Sequence, residues 1–382
     1  MAGWGFYEFF AGGGMAREGL GTDWRCLFAN DFDPKKGEVY AANWGDRELY
    51  VGDVAGVAPF QLPGIADLAW ASFPCQDLSL AGVGAGLKGE RSGAFWPFWR
   101  LMTQLARERR GPRVIILENV CGLITSNSGQ DFSALCRAIS NAGYRVGAVV
   151  IDALHFVPQS RPRLFVIGLC EGLDIPDHLV DAGPSPLWHT AKLIEAYGRL
   201  ALPIQSNWLW FHLPKPLARN IQLFDLIDDE PEGVQWHSAA ETDRLLRMMS
   251  KVNRAKVDAA KACRKKVVGA IYKRTRHESG VKVQRAEVRF DNNAGCLRTP
   301  GGGSSRQAII VVDGGIVRTR LLSARETARL MGLPEHYKLP ARYNDAYHVT
   351  GDGVAVPVVG FLADELLHPL LTAQQGASIA AE

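Results

Sequence analysis

The chain has 382 residues, 47% of them hydrophobic and 22% charged, with 43 basic side chains against 40 acidic for a formal charge of +3. That length exceeds one compact core of ordinary size, and the balance excludes collagen, coiled coil and wholesale disorder, so one large α/β domain and a smaller one are expected. The seven cysteines are scattered without a CxxC pair, and no hydropathy run predicts a membrane span or a secretory leader. Neither a disulfide framework nor a zinc knuckle is expected, and the predicted setting is the reducing cytoplasm.

Apolar runs at 4–10, 24–29, 65–72, 114–117, 145–151 and 164–169 predict strands, and periodic segments at 34–42, 94–109 and 132–141 predict helices between them. This alternation is the pattern of a mostly parallel sheet covered by helices. From residue 171 the rhythm fails, with prolines at 176, 184, 186, 203, 214, 216 and 231 and tryptophans at 188, 208, 210 and 236 that are expected to anchor a core. Helical patterning returns at 321–330 and again at 354–367, after Gly351-Asp352-Gly353. The sheet domain is therefore expected to be split, residues 1–170 with 319–382, around an inserted lobe of residues 171–318. Within that lobe residues 251–290 hold thirteen Lys and Arg against three acids, a local charge of +10 that leaves −7 for the remainder. A solvated helix face would read the same, but the clustering points toward a polyanion.

Directly after the first run, Phe10-Ala11-Gly12-Gly13-Gly14 sets glycines where a tight turn lets a ligand approach the backbone at a helix N-terminus. Such a turn serves NAD, FAD, S-adenosylmethionine or close packing alone. Asp31 follows about twenty residues later, where a carboxylate accepts ribose hydroxyls, and Asp53 is suited to an adenine amino group. Taken singly, each aspartate also reads as a strand-end or cap residue. Pro74-Cys75-Gln76 sets a thiol in a loop at the carboxyl end of a strand, and Glu118 ends another strand with a carboxylate directed to the same crevice. Cys26 and Cys136 read instead as small buried apolar residues.

The ordered set FFAGGGMAREG (9–19), FPCQDLS (73–79), GERSG (89–93), LENVCGL (117–123), QSRPR (159–163), LSARETARLMGLP (322–334) and GDGVAVPVV (351–359) resembles the DNA (cytosine-5)-methyltransferase family. The resemblance covers most of residues 1–170 and 320–367. It implies an α/β fold: a Rossmann-like S-adenosylmethionine-dependent domain with an inserted target-recognition domain. It implies Cys75 as a nucleophile toward cytosine C6, Glu118 as the partner of ring N3, and Gln159, Arg161 and Arg163 as holders of the flipped base and its phosphates. S-adenosylmethionine would lie against Phe10, Ala11, Gly12, Gly13 and Gly14, with Asp31, Phe32, Asp53, Val54, Pro74, Phe95, Asp352 and Val354 around it, and no metal is implied. Double-stranded DNA would be met by Ser79 and by Arg298, Thr299, Ser304, Ser305, Arg306 and Gln307, in a loop whose arginines suit guanine and whose glutamine suits adenine. A monomer is expected, as is a restriction endonuclease acting on the same site without direct contact. Two departures stand out: Glu8 where the family more often has Asp, and Gly-Asp-Gly at 351–353 in place of Gly-Asn-Ser. A transfer-RNA cytosine methyltransferase on the same scaffold, and a catalytically silent DNA-binding regulator, remain as alternatives.

Overall fold

The computed structural model describes residues 3–74, 94–278, 280–299 and 306–380, with residue 278 and residues 375–380 described by backbone alone. Contacts divide the chain into two compact units: residues 1–151, 162–215 and 358–382 form one, and residues 152–161 and 216–357 form the other.

The first unit is built on strands β1 (Trp4–Phe9), β2 (Trp24–Asp31), β3 (Leu49–Val51), β4 (Leu68–Ala71), β5 (Val114–Val120), β6 (Tyr144–Asp152), β7 (Pro162–Cys170), β8 (Val180–Asp181) and β9 (Trp208–Phe211). Among the described residues they form one sheet in the order β3-β2-β1-β4-β5-β7-β6-β9-β8. The pairs β1/β2, β1/β4, β2/β3 and β4/β5 are parallel, whereas β7 runs antiparallel to β5. This is a Rossmann-like arrangement, as expected of the sheet domain. The central strands β4, LAWA, and β5, VIILENV, are buried along nearly their whole length, so both of their faces are covered and the sequence reads as an unbroken apolar run. Helices α1 (Met15–Leu20), α2 (Pro34–Trp44), α3 (Phe95–Arg107), α4 (Gln130–Asn141), α5 (Ala191–Gly198) and α6 (Leu202–Ser206) connect or flank these strands. Phe95, Phe98, Trp99, Met102 and Leu105 recur at helical spacing on the buried face of α3. Asp33 caps α2, its side chain accepting from Lys35 N, with Pro34 at the first helical position.

The second unit contains α7 (Ala239–Arg247), α8 (Lys251–Ala262), β10 (Val267–Glu278), β11 (Val281–Arg289), β12 (Ala308–Asp313), β13 (Ile316–Leu321), α9 (Ala324–Arg329) and α10 (Tyr343–Asp352). Its strands pair antiparallel in the order β11-β10-β12-β13 over a core that includes Leu246, Met249, Val257, Ile271, Val288 and Ile310. The chain ends in α11 (Val356–Leu362) and α12 (His368–Ala380). By length and composition the segment Tyr343–Gln374 would cross a membrane. Its Leu362, Leu366, Leu367, Leu370 and Leu371 are buried in the protein, which accounts for its apolarity as that of a core segment.

The unit boundaries differ from the expected ones at 171 and 318. Residues through 215 stay with the large sheet because β9, WLWF, is buried at every position and pairs with β6. Trp188, Trp208 and Trp210 are therefore buried within the sheet unit, while Trp236 belongs to the other unit, beneath the guanidiniums of Arg318 and Arg320 at 4.2 and 4.9 Å from its ring centroid. Residues 319–357 stay with the second unit because β13 pairs with β12 and because Arg320 and Glu326 form a fully buried pair, with contacts of 2.7 and 2.6 Å. Glu326 also accepts from the backbone of Asp228 and of Ser323, so its lone pairs are well used.

Candidate active site

β1 leads into Phe10, whose backbone is left-handed at φ 58° although the residue is an aromatic one. Such a conformation costs about 1–3 kcal/mol and persists only where the surroundings enforce it. Enforcement comes from the turn that follows: Ala11 N donates to Asn30 O at 2.9 Å, Gly14 N to Ala11 O at 2.8 Å, and Gly12 N to Asp31 Oδ2 at 2.7 Å. Gly12, at φ 57°, has open space where a Cβ would stand, so its backbone can be approached from outside. Gly14 needs its glycine for a different reason, since a Cβ there would lie 2.4 Å from Trp44 Nε1.

Asp31 accepts from Asp33 N with its other oxygen, at 2.8 Å, so it fixes both the glycine turn and the entry to α2. Burial raises its carboxyl above the ordinary range, against the backbone donors that lower it. Each oxygen has one internal donor; an ionised carboxylate offers about four acceptor positions, so the count leaves two. Phe32, beside it, is 73% exposed. Asp53 is exposed and caps the next turn through Ala55 N, above the buried Val54. Pro74 is exposed, and Phe95 packs in the apolar core against Phe73 and Trp99. Beneath the turn lies Glu8, 1% exposed, taking the backbone donors of Ala16 and Arg17. Among the described residues its Oε2 has no hydrogen-bond partner, and burial pushes the carboxyl up to about 8 against the attraction of Arg17.

Glu118 stands near the carboxyl end of β5, 6% exposed, with the Nε of Arg163 3.1 Å from its Oε1. Strand register produces the contact: Val120 pairs with Arg163 and Glu118 with Phe165, so Glu118 and Arg163 are diagonal neighbours on one face. Asn119 turns the other way. Its Nδ2 donates to Phe73 O at 3.1 Å and its Oδ1 accepts from Val120 N, which ties the strand end to the segment two residues before Cys75. The sequence reading gave Asn119 no role, because an asparagine at a strand end reads equally as a turn former. Cys75 and Ser79 lie outside the described residues. Cys26 and Cys136 are buried, and burial pushes the Cys26 thiol up to about 12 and that of Cys136 further still, as fits inert packing residues.

The expected contact residues in the second unit have the following partners within the protein. Gln159 is 0% exposed, its Nε2 donating to Leu330 O and Met331 Sδ and its Oε1 accepting from Leu297 N. An amide so engaged has no donor left for a base. Arg161, 1% exposed, donates to Leu297 O at 3.0 Å, Gly351 O at 2.9 Å and Gly353 O at 2.6 Å, with Cys296 Sγ at 3.4 Å. Its planar fork satisfies loop carbonyls rather than a phosphate, clamping residues 296–297 to 351–353. Gln307 is buried, its backbone N–H donating to the Tyr347 hydroxyl, while its side-chain Nε2 has no hydrogen-bond partner among the described residues. Arg306 donates to Asn344 and lies over the Tyr343 ring. Arg298 is exposed, and the Thr299 hydroxyl donates to Asp352 Oδ1 at 2.9 Å. Val354 is buried. Ser304 and Ser305 lie outside the described residues. Asp352 and Val354, expected beside a cofactor, belong to the second compact unit.

A family model described as C-5 cytosine-specific DNA methylase matches residues 5–368. The chain is similar to the type II methyltransferase M.HhaI of Haemophilus parahaemolyticus, 26% identical over 367 residues that cover 95% of this chain and 94% of the relative. It is similar also to the type II methyltransferase M.BsuFI of Bacillus subtilis, 25% identical over 97% of this chain and 74% of the relative. Among solved structures, the Dnmt2 methyltransferase of S. pombe matches with a TM-score of 0.58 at 16% identity, over 96% of this chain and 99% of that one, a likeness of fold.

Proposed function

The chain belongs to the C-5 cytosine-specific DNA methylase family and is a DNA cytosine methyltransferase, and within that family we propose that it works through a transient bond from Cys75 to cytosine C6. The cytosine is turned out of a duplex at a specific sequence. A base inside the stack cannot present C6 to a thiol, and rotating it out costs roughly a few kcal/mol.

Cytosine C5 is a poor nucleophile, so the ring must first be made electron-rich. In the proposed sequence the Cys75 sulfur bonds to C6, Glu118 delivers a proton to N3, and the ring electrons collect at C5. S-adenosylmethionine, when bound, supplies an electrophilic methyl group. Once C5 is methylated, a base from solvent takes the C5 proton, the Cys75 sulfur leaves C6 with its electron pair as a thiolate and N3 returns its proton to Glu118, restoring the aromatic ring. Arg163 acts as a positioning residue that fixes one Glu118 oxygen and leaves the other to the base. The observation that carries this reading is the pairing of Arg163 with Glu118 on a strand whose neighbour, Asn119, tethers the segment leading to Cys75.

The residues of the glycine turn fit the cofactor. The open side of Gly12, the left-handed Phe10, the Asp31 carboxylate and the exposed Phe32 ring together suit a nucleoside with a diol and a flat base. Asp31 would hold the ribose and Asp53 the adenine. Target recognition is assigned to the second unit, where the cations of residues 251–290 supply phosphate contacts. A monomer acting beside a separate restriction endonuclease on the same site is the simplest arrangement.

Nucleoside mass spectrometry on DNA and RNA from cells expressing the chain, with Cys75→Ala as control, tests the proposal. Cys75-dependent 5-methylcytosine in DNA is the expected result, and base-resolution mapping then gives the site. Modification confined to RNA would replace the DNA reading with the transfer-RNA one, and modification of neither would make the chain a silent binder.

A further inference from the structure

In the second unit, β10 is longer than the sheet it belongs to. Its pairing with β12 runs from Val267 only as far as Ile271, opposite Ala308. Beyond that point β10 pairs with β11 alone, from Tyr272 opposite Glu287 to Glu278 opposite Val281. Seven residues at about 3.4 Å each make a two-stranded ribbon reaching about 24 Å past the sheet. Away from its base, where Ala286 is buried and bridged to Met249, the ribbon is polar: Lys273, Arg274, Thr275, Arg276, His277, Lys282 and Gln284 are all exposed. Isolated two-stranded ribbons are marginal in water, so a long polar one stabilises nothing by burial.

Its charge is one-sided. Lys273, Arg274, Arg276, Lys282 and Arg285 face Glu287 as the acid among the described side chains. Register makes this more pointed, because Arg274 stands directly opposite Arg285. Like charges in direct cross-strand opposition destabilise a ribbon. Glu287 answers Arg274 and Arg276 from one end, and Arg274 also lies 4.8 Å from the Tyr272 ring centroid. On the other face His277 stands opposite Lys282, with Lys273 two places along. The excess of Lys and Arg over acids along the ribbon suits a polyanion.

We infer that this outboard ribbon, residues 272–278 and 281–287, is an arm that grips the phosphate backbone of duplex DNA without reading its sequence. The inference rests on the reading of the protein as a duplex-DNA enzyme and adds a contact surface to it. A two-stranded ribbon matches the width of the DNA major groove, about 12 Å, and Lys and Arg reaching from it meet the flanking phosphates. Such contacts lengthen the footprint and set affinity, while specificity stays with other residues.

The test is the salt dependence of binding by the full chain to a duplex carrying its mapped site, to the same duplex with the site scrambled, and to transfer RNA. Three charges are removed together in Lys273→Gln/Lys282→Gln/Arg285→Gln, and the conservative Lys273→Arg/Lys282→Arg/Arg285→Lys serves as a second variant that keeps the ribbon's charge. Each lost phosphate contact lowers the slope of log affinity against log salt by about one. The neutral variant is expected to lose about three in slope on both duplexes alike, leaving the ratio between cognate and scrambled sites within about twofold, and the conservative variant is expected to keep the parent slope. An unchanged slope in the neutral variant, or a loss confined to the cognate duplex, would overturn the arm. If the parent itself prefers transfer RNA to duplex, the DNA reading falls first, and a slope loss seen on that RNA alone would reassign the arm to RNA.

Discussion

The two compact units carry charge in opposite ways. In the sheet unit two carboxylates at the site are nearly buried and individually held, Glu118 by Arg163 and Asp31 by two backbone donors. In the second unit the charges of residues 251–290 are many and mostly exposed, and their ion pairs, such as Arg274 with Glu287, are open to solvent. An exposed pair is worth about 0–1 kcal/mol, whereas leaving a buried charge unpaired costs about 3–5 kcal/mol. Changes in the sheet unit should therefore act singly and steeply, and changes on the ribbon additively and with salt.

The steepest expected effect is at the reacting groups. Cys75→Ala should reduce methylation to background while leaving duplex binding in place, and the parent should form a covalent adduct with cognate DNA containing 5-fluorocytosine, which has no C5 proton to lose. Glu118→Gln removes the proton for N3 and should lower kcat by about 10²–10⁴-fold with little change in DNA affinity. Single-turnover rates at saturating DNA check this; a Glu118→Gln rate within tenfold of the parent would take Glu118 out of the chemistry.

One group in the second unit should break the contrast. Arg320 and Glu326 are fully buried there, with Glu326 also receiving two backbone donors, so the pair behaves like the held charges of the sheet unit. Arg320→Ala strands the carboxylate and should cost about 3–5 kcal/mol of stability, read by urea unfolding. If the cost proves smaller than about 1 kcal/mol, burial is not what separates the two kinds of charge.

Glu8 gives the contrast a pH axis. Burial favours the neutral acid and pushes its folded carboxyl up to about 8, from the ordinary value of 4.5 that the unfolded chain keeps. Between those values the folded chain holds a proton that the unfolded chain has released. Glu8 therefore subtracts stability progressively as pH rises from about 4.5 to about 8, and no further above that. The charged neighbours Arg17 and Asp31 oppose each other in this effect. Glu8→Gln cannot ionise, so its melting temperature should rise relative to the parent across that window. Parallel melting curves from pH 5 to pH 8 would remove Glu8 as a buried acid.

Most of the sheet was legible in the sequence because its signal is local. The expected runs at 4–10, 24–29, 114–117, 145–151 and 164–169 are β1, β2, β5, β6 and β7 with ends moved by a few residues, and Pro34 and Asp33 announce α2. What was not legible depends on partners far along the chain. Gln159 and Arg161 sit in a motif that resembles a substrate-holding one, yet they meet carbonyls and donors 136 to 192 positions away. Nothing within QSRPR says that its first polar residues face backbone while Arg163, two places on, faces Glu118. Gln159 and Arg161 precede β7, which begins at Pro162, and only Arg163 lies within its register with β5. Strand β9 was missed for the same reason, since WLWF among prolines looks like an isolated anchor until β6 is beside it.

The smallest expected effect is at Asp352, and it is informative because the residue is charged where relatives in the motif commonly carry Asn. Asp352 Oδ1 accepts from the Thr299 hydroxyl, a role that an asparagine Oδ1 fills equally. The loop itself is held through Gly351 O and Gly353 O by Arg161, so its course does not depend on the Asp352 charge. Asp352→Asn therefore keeps the hydrogen bond and removes one charge, and stability should stay within about 0.5 kcal/mol of the parent. The KM for S-adenosylmethionine should stay within about threefold at all salt concentrations. A rise beyond tenfold at low salt that shrinks as salt is added would mean that the charge reaches the cofactor through space, since screening weakens exposed charges beyond about 10 Å at 0.1 M salt and leaves a hydrogen bond untouched.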